Sequence, residues 1–117
     1  MKYLPYGIFV VFLVFLDQLS KFAFQGKEIF ITSFFSFQYA ENTGAAFSLF
    51  QNQNAALIVL SFLALGFVLY YFSGHPLALS FLLAGLLGNL LDRILFGFVR
   101  DFLSFSIRPI FNLADTW

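Results

Sequence analysis

Cysteine is absent from the 117 residues, which removes disulfide frameworks, thiolate metal sites and cysteine nucleophiles together. Charge is scarce as well. Six Lys and Arg balance six Asp and Glu, so charged residues make up 10% of the chain, against about 25% in an ordinary soluble domain. Without a basic surplus there is no electrostatic footprint for nucleic acid, and no such partner is expected. Disorder is excluded too, because disordered chains are rich in charge and poor in aromatics. What is abundant is apolar: hydrophobic residues reach 61%, and Phe alone fills 20 positions. A small soluble domain buries only part of its surface and cannot hide that much apolar area from water. The remaining class is an integral membrane protein, read as a single domain over 1–117.

A spanning helix needs about 20 mostly apolar residues. Three stretches qualify, at 4–24, 55–72 and 77–96. The first holds the unbroken block Gly7 to Leu16, then Asp17 and Lys21, one helical turn apart on one face. A cleaved signal peptide is the competing reading, but Phe22-Ala23-Phe24-Gln25 is a poor cleavage site. The second span is free of charge. Ser73-Gly74-His75-Pro76 then breaks the helix, so spans two and three form a tight antiparallel hairpin. Asp92 and Arg93 interrupt the third span near its end. His75 is read as a solvated loop residue.

The stretch 28–50 is too polar and broken to span. Phe35, Phe37 and Tyr39 alternate with Ser36, Gln38 and Ala40, the period of a strand with one apolar face. Glu41-Asn42-Thr43-Gly44 is a turn signal. A small sheet at the membrane surface is expected, with its aromatics at the interface. The tail 99–117 has no apolar run long enough to cross. Orientation by Lys and Arg is a weak vote. With Met1 in the cytoplasm, Lys27, Arg93, Arg100 and Arg108 all fall near the outer face, so the charge count favours the opposite topology.

Ionisable groups inside a span cost about 2.5–3.5 kcal/mol each on insertion scales, so the few acids carry information. If the spans alternate direction, Asp17, Lys21, Asn89, Asp92 and Arg93 reach one level, beside the 28–50 segment and the tail. A site at that face is expected. Asp17 and Lys21 read equally as a partly buried ion pair that snorkels to the interface and as direct participants in the site. Asn89, Asp92 and Arg93 read first as polar glue between helices. Asp101 and Asp115 have no cation four residues away, although Arg100 is adjacent to Asp101 and Asp115 has the alternative of capping a following helix.

Five blocks occur in order: Asp17-Gln18-Leu19-Ser20-Lys21, Asn42-Thr43-Gly44-Ala45-Ala46-Phe47-Ser48, Gly88-Asn89-Leu90-Leu91-Asp92-Arg93, Val99-Arg100-Asp101-Phe102 and Phe111-Asn112-Leu113-Ala114-Asp115. Together they resemble the signature blocks of the lipoprotein signal peptidases, or type II signal peptidases. The resemblance implies a membrane all-α helical bundle with a small extracytoplasmic β-sheet, four spans in the family and three complete here. It implies an aspartic endopeptidase of the bacterial cytoplasmic membrane, multi-pass, with its active site at the extracytoplasmic face. Such enzymes remove the signal peptide of a prolipoprotein just before a diacylglyceryl-modified Cys. By motif, the catalytic pair is Asp101, from Val-x-Asp-Phe, and Asp115, from Phe-Asn-x-Ala-Asp. Asp17, Lys21, Asn42, Gly44, Asn89, Asp92, Arg93, Asn112 and Ala114 fall on the other signature positions and are expected to shape the site and hold substrate. The partners implied are a lipid-modified prolipoprotein and membrane lipid; no cofactor and no metal is implied, and a monomer is expected. The resemblance also places the N-terminus in the cytoplasm, against the charge count.

The chemistry is consistent with two acids. Two carboxylates held close cannot both ionise comfortably, so the pair shares a proton. The ionised one takes a proton from water while the protonated one donates to the carbonyl oxygen; the titration belongs to the pair, so the residues alone do not assign the roles. In the family a fourth span follows the last Asp. This chain ends at Trp117, two residues on, and is read as truncated before that span. The alternative is an inactive remnant, or a non-enzymatic membrane protein that binds lipidated or signal-peptide clients.

Overall fold

A computed structural model describes residues 3–31, 35–43, 52–105, 112 and 115. Three helices carry the fold: α1, Leu4–Phe24; α2, Asn54–Tyr71; and α3, Pro76–Phe96. All three are long and apolar enough to cross a membrane. Ile8, Val11, Phe15, Phe22, Phe62, Phe67 and Leu95 are exposed on them, as lipid-facing side chains would be. Pro76 belongs to α3 and not to the break before it, because a proline in the first turn gives up an N–H that has no partner in the helix anyway. At the other end, Gly97 takes a left-handed conformation (φ 84°) and donates its N–H to the Arg93 carbonyl, which stops α3.

Helix α3 is central, packing on one side against α1 and on the other against α2. Lipid offers no hydrophobic drive between helices, so close packing and polar contacts must hold them. On α3 the buried residues Ser80, Ala84, Gly88 and Asp92 recur every four positions, a narrow ridge of mostly small side chains. Leu13, Asp17 and Lys21 do the same on α1. The two helices run parallel: Phe9 meets Phe81 edge-on, 5.3 Å between ring centroids, and Lys21 meets Asp92 twelve residues further along α1. The C-terminal ends of the first and third helices therefore share one level.

At that level lies a three-stranded antiparallel sheet in the order β1 (Glu28–Phe30), β2 (Phe35–Asn42), β3 (Val99–Phe105). The third strand is drawn from the tail, where the sequence reading placed no strand. It forms because β2 supplies the backbone partners: Ala40 pairs with Asp101, Glu41 with Arg100 and Asn42 with Val99. For the same reason β2 runs on through Asn42, into the residues read as a turn. The register slips between Phe37 and Ala40, with one extra residue in β2, a bulge of the kind that re-aims side chains beside functional sites. It ends the simple alternation expected for 35–40, and Ser36 is the buried residue there. An aromatic stack seats the sheet on the end of α1: Phe24 lies 4.5 Å from Phe37 and 4.9 Å from Phe102 between centroids.

Candidate active site

Two polar layers meet where α1 and α3 end against β3. The inner layer is ionic. Lys21 and Asp17, one turn apart on α1, are both fully buried, with Nζ 2.7 Å from Asp17 Oδ2. Lys21 Nζ also lies 3.2 Å from Asp92 Oδ2 and donates to the Gly88 carbonyl and to Asn89 Oδ1. Of the two readings open for Asp17 and Lys21, the snorkelling pair does not describe this geometry: four acceptors inside the bundle hold the ammonium. Asp92 is fully buried and is shared by Lys21 from α1 and by Arg100 from β3, whose Nη2 is 2.9 Å from Asp92 Oδ1. Gln18 joins this layer, donating to Asp17, Asp92 and the Gly88 carbonyl while accepting from Arg100. With two cations and two carboxylates the layer is electrically balanced, and charges this deep are tolerated only when paired.

The outer layer is built of amides and the two remaining acids. Asn89 Oδ1 accepts from Lys21 Nζ and from Asn112 Nδ2, which turns Asn89 Nδ2 toward Asp115 Oδ1 at 2.8 Å. Asn112 Nδ2 donates in turn to Asp101 Oδ1 at 2.7 Å and to the Arg100 carbonyl at 3.2 Å. The Asn112 backbone N–H donates to Asp115 Oδ2, and the Asp115 N–H returns a bond to Asn112 Oδ1. This reciprocal exchange has the hydrogen-bond pattern of a capping box, with Asn112 in the cap position and Asp115 three residues on. The capping role considered for Asp115 therefore falls to Asn112. A single fully buried Asn112 bridges both acids.

Asp101 and Asp115 differ in setting. Asp101 is 2% exposed, whereas Asp115 is exposed. Burial, and next the charge of Asp115, push the Asp101 carboxyl up to about 8, although hydrogen bonds from Asn42 and Asn112 and the charge of Lys21 pull the other way. At neutral pH Asp101 is therefore mostly protonated. Beside Asp115 a cavity of about 260 Å³ opens between α2 and α3. Ser61, Phe81, Leu82, Gly85 and Leu86 form its mainly apolar wall, and Asn89, Arg93 and Asp115 line its polar end. Among the described residues no three His, Cys, Asp or Glu side chains gather as a metal site.

Of the expected site residues, Asp17, Lys21, Asn42, Asn89, Asp92, Asp101, Asn112 and Asp115 meet in one hydrogen-bonded assembly, and Arg93 faces the cavity. Gly44 and Ala114 lie outside the described residues. Gln18 and Arg100 belong to the assembly although neither was singled out. Arg100 also departs from the pairing its position suggested, since its guanidinium goes to Asp92 and not to adjacent Asp101. Strand alternation carried that signal: neighbouring side chains on a strand point to opposite faces.

The sequence model of the family described as signal peptidase (SPase) II matches residues 9–117. A lipoprotein signal peptidase of Streptococcus pyogenes is 36% identical over 132 aligned positions, covering 100% of this chain and 87% of that protein. Another, of Moorella thermoacetica, is 38% identical over 125 positions, covering 96% and 83%. Two solved structures, each described as a bacterial membrane enzyme, superpose with TM-scores of 0.85 and 0.81 at 29% identity. Each superposition covers 96% of this chain, with 79% and 83% of the solved chains.

Proposed function

Because the chain belongs to the signal peptidase II family, we propose that it removes the signal peptide of prolipoproteins by an aspartic mechanism centred on Asp101 and Asp115. The family is one of peptidases acting on lipoproteins, and the three apolar helices make this member a membrane protein. The comparisons do not favour a non-enzymatic client binder. The observation that carries the mechanism is Asn112, whose side-chain amide holds Asp101 while its backbone N–H holds Asp115.

In this reading the buried Asp101 keeps the shared proton and the exposed Asp115 is the base. Asp115 takes a proton from a water as that water adds to the scissile carbonyl carbon, and Asp101 gives its proton to the carbonyl oxygen. Collapse of the tetrahedral adduct returns a proton to Asp101, while Asp115 passes its own to the leaving amide nitrogen. Neither step needs a group beyond the two acids and water. Arg93 and Asn89 offer donors at the polar end of the cavity, and its apolar wall suits the hydrophobic part of a signal peptide. The scissile bond precedes a diacylglyceryl-modified Cys, and the site faces the extracytoplasmic side of the bacterial cytoplasmic membrane. Asp17, Lys21, Asn42, Asn89, Asp92 and Asn112 support the pair, as do Gly44 and Ala114 by motif; the protein acts as a monomer, over a single domain.

The test is cleavage of a diacylglyceryl-modified prolipoprotein by the chain reconstituted in lipid, followed by gel shift. Asp101→Asn and Asp115→Asn are each expected to slow cleavage by about 100- to 10,000-fold. Undiminished turnover by either variant would remove that residue from the mechanism.

A further inference from the structure

Among the described residues β3 is one of the two outer strands of the sheet and pairs with β2 alone, so the hold on Asp101 comes from that one ladder and from the side chains around it. Arg100, one residue before Asp101, is fastened at five points. Its backbone N–H donates to Asp92 Oδ2 at 2.9 Å, its Nε to the same oxygen at 3.2 Å, and its Nη2 to Asp92 Oδ1 at 2.9 Å. Nη2 also donates to Gln18 Oε1 at 2.8 Å, and the guanidinium carbon lies 4.5 Å from the centroid of the Phe96 ring. Asp92 thereby grips backbone and side chain of one residue, using both of its oxygens. On the same residue the carbonyl accepts from Asn112 Nδ2, the group that also holds Asp101.

We infer that Arg100 is a positioning residue for the Asp101–Asp115 pair, clamping the start of β3 to the end of α3 so that Asp101 and Asn112 keep their register. The inference rests on the proposed reading of the pair. The planar fork matters beyond its charge: a guanidinium presents several donors in fixed directions, whereas an ammonium is a point charge on a flexible stem. Lysine would keep the charge balance of the inner layer and lose the fork.

The experiment compares wild type, Arg100→Lys, Arg100→Gln and Asp101→Asn as full chains reconstituted in lipid. It reads kcat and KM for a diacylglyceryl-modified prolipoprotein, and thermal unfolding by circular dichroism. Arg100→Lys is expected to unfold near the wild-type temperature and keep KM, while kcat falls roughly 10- to 100-fold, the scale set by misplacing a reacting group. Arg100→Gln is expected to lose more kcat, again with KM held. Wild-type kcat in Arg100→Lys, with Asp101→Asn inactive, overturns the positioning role and leaves the pair intact. Loss of folded protein in both Arg100 variants, in proportion to lost activity, overturns it as well, since that is a purely structural role. Full activity of Asp101→Asn overturns the pair, and this inference with it.

Discussion

An asparagine amide has two ends of nearly the same shape, and only its partners tell them apart. At Asn89 the partner is Lys21, a donor with no acceptor lone pair. It takes the oxygen end and so turns the N–H end onto Asp115. A cation buried two contacts away thus fixes how an acid is held. Asp101 is governed by burial and by Asp115, which raise its carboxyl to about 8 from the ordinary value of 3.8. The native state then keeps a proton that the unfolded chain releases from about pH 4 upward. This contribution to stability is complete below the unfolded value and fades as pH rises through about 8. Cleavage is expected to fall on the alkaline side with a midpoint near the same pH. In Asp115→Asn one raising cause is gone, so the Asp101 carboxyl should titrate lower; the infrared carboxyl band of the two proteins measures it. An unchanged midpoint would show that the two acids are not coupled.

Among the elements, α3 does most to arrange the site, and where it stops decides where β3 starts. Gly97 at φ 84° ends the helix, and Val99 begins the strand two residues later. A Cβ built on Gly97 would meet nothing within 4 Å, so the demand there is conformational and not steric. Gly97→Ala is expected to lower stability by about 1–2 kcal/mol, the cost of a left-handed side-chain-bearing residue. Gly97→Asn should cost less. Thermal unfolding of the two variants checks the order, and an equal, negligible effect would mean that another residue stops the helix. The ridge of Ser80, Ala84, Gly88 and Asp92 was present in the chain at a spacing of four, as were Leu13, Asp17 and Lys21. Hydropathy windows average over such a face, so it reads as an ordinary apolar span.

For the whole molecule the parallel run of α1 and α3 gathers the acids, the amides and the sheet at one end, with the Phe72–His75 connection at the other. Two opposing arguments about sidedness meet here, the Lys and Arg count and the family likeness. The lack of cysteine makes them separable by experiment. Single cysteines at Lys27 and at His75, both exposed positions, are expected to react with an impermeant thiol reagent from opposite sides of the membrane. Lys27→Cys should label from outside the cell and His75→Cys only after the inner face is opened. The reverse pattern would place the candidate site in the cytoplasm.

The amino-acid sequence alone determined the membrane class, the three helices and the hairpin between the second and third, because apolar length and Gly or Pro breaks are properties of neighbours along the chain. The five motif blocks also made the two acids and most of their company legible. Tertiary structure decided the rest. It drew the third strand from the tail, buried Lys21 among four acceptors, and sent Arg100 to Asp92 instead of to Asp101. It also handed the capping role to Asn112. Each of these depends on which distant backbone or carboxylate arrives at a donor. Residues 18, 92, 100 and 112 carry no sign of one another until α1, α3 and β3 are packed together.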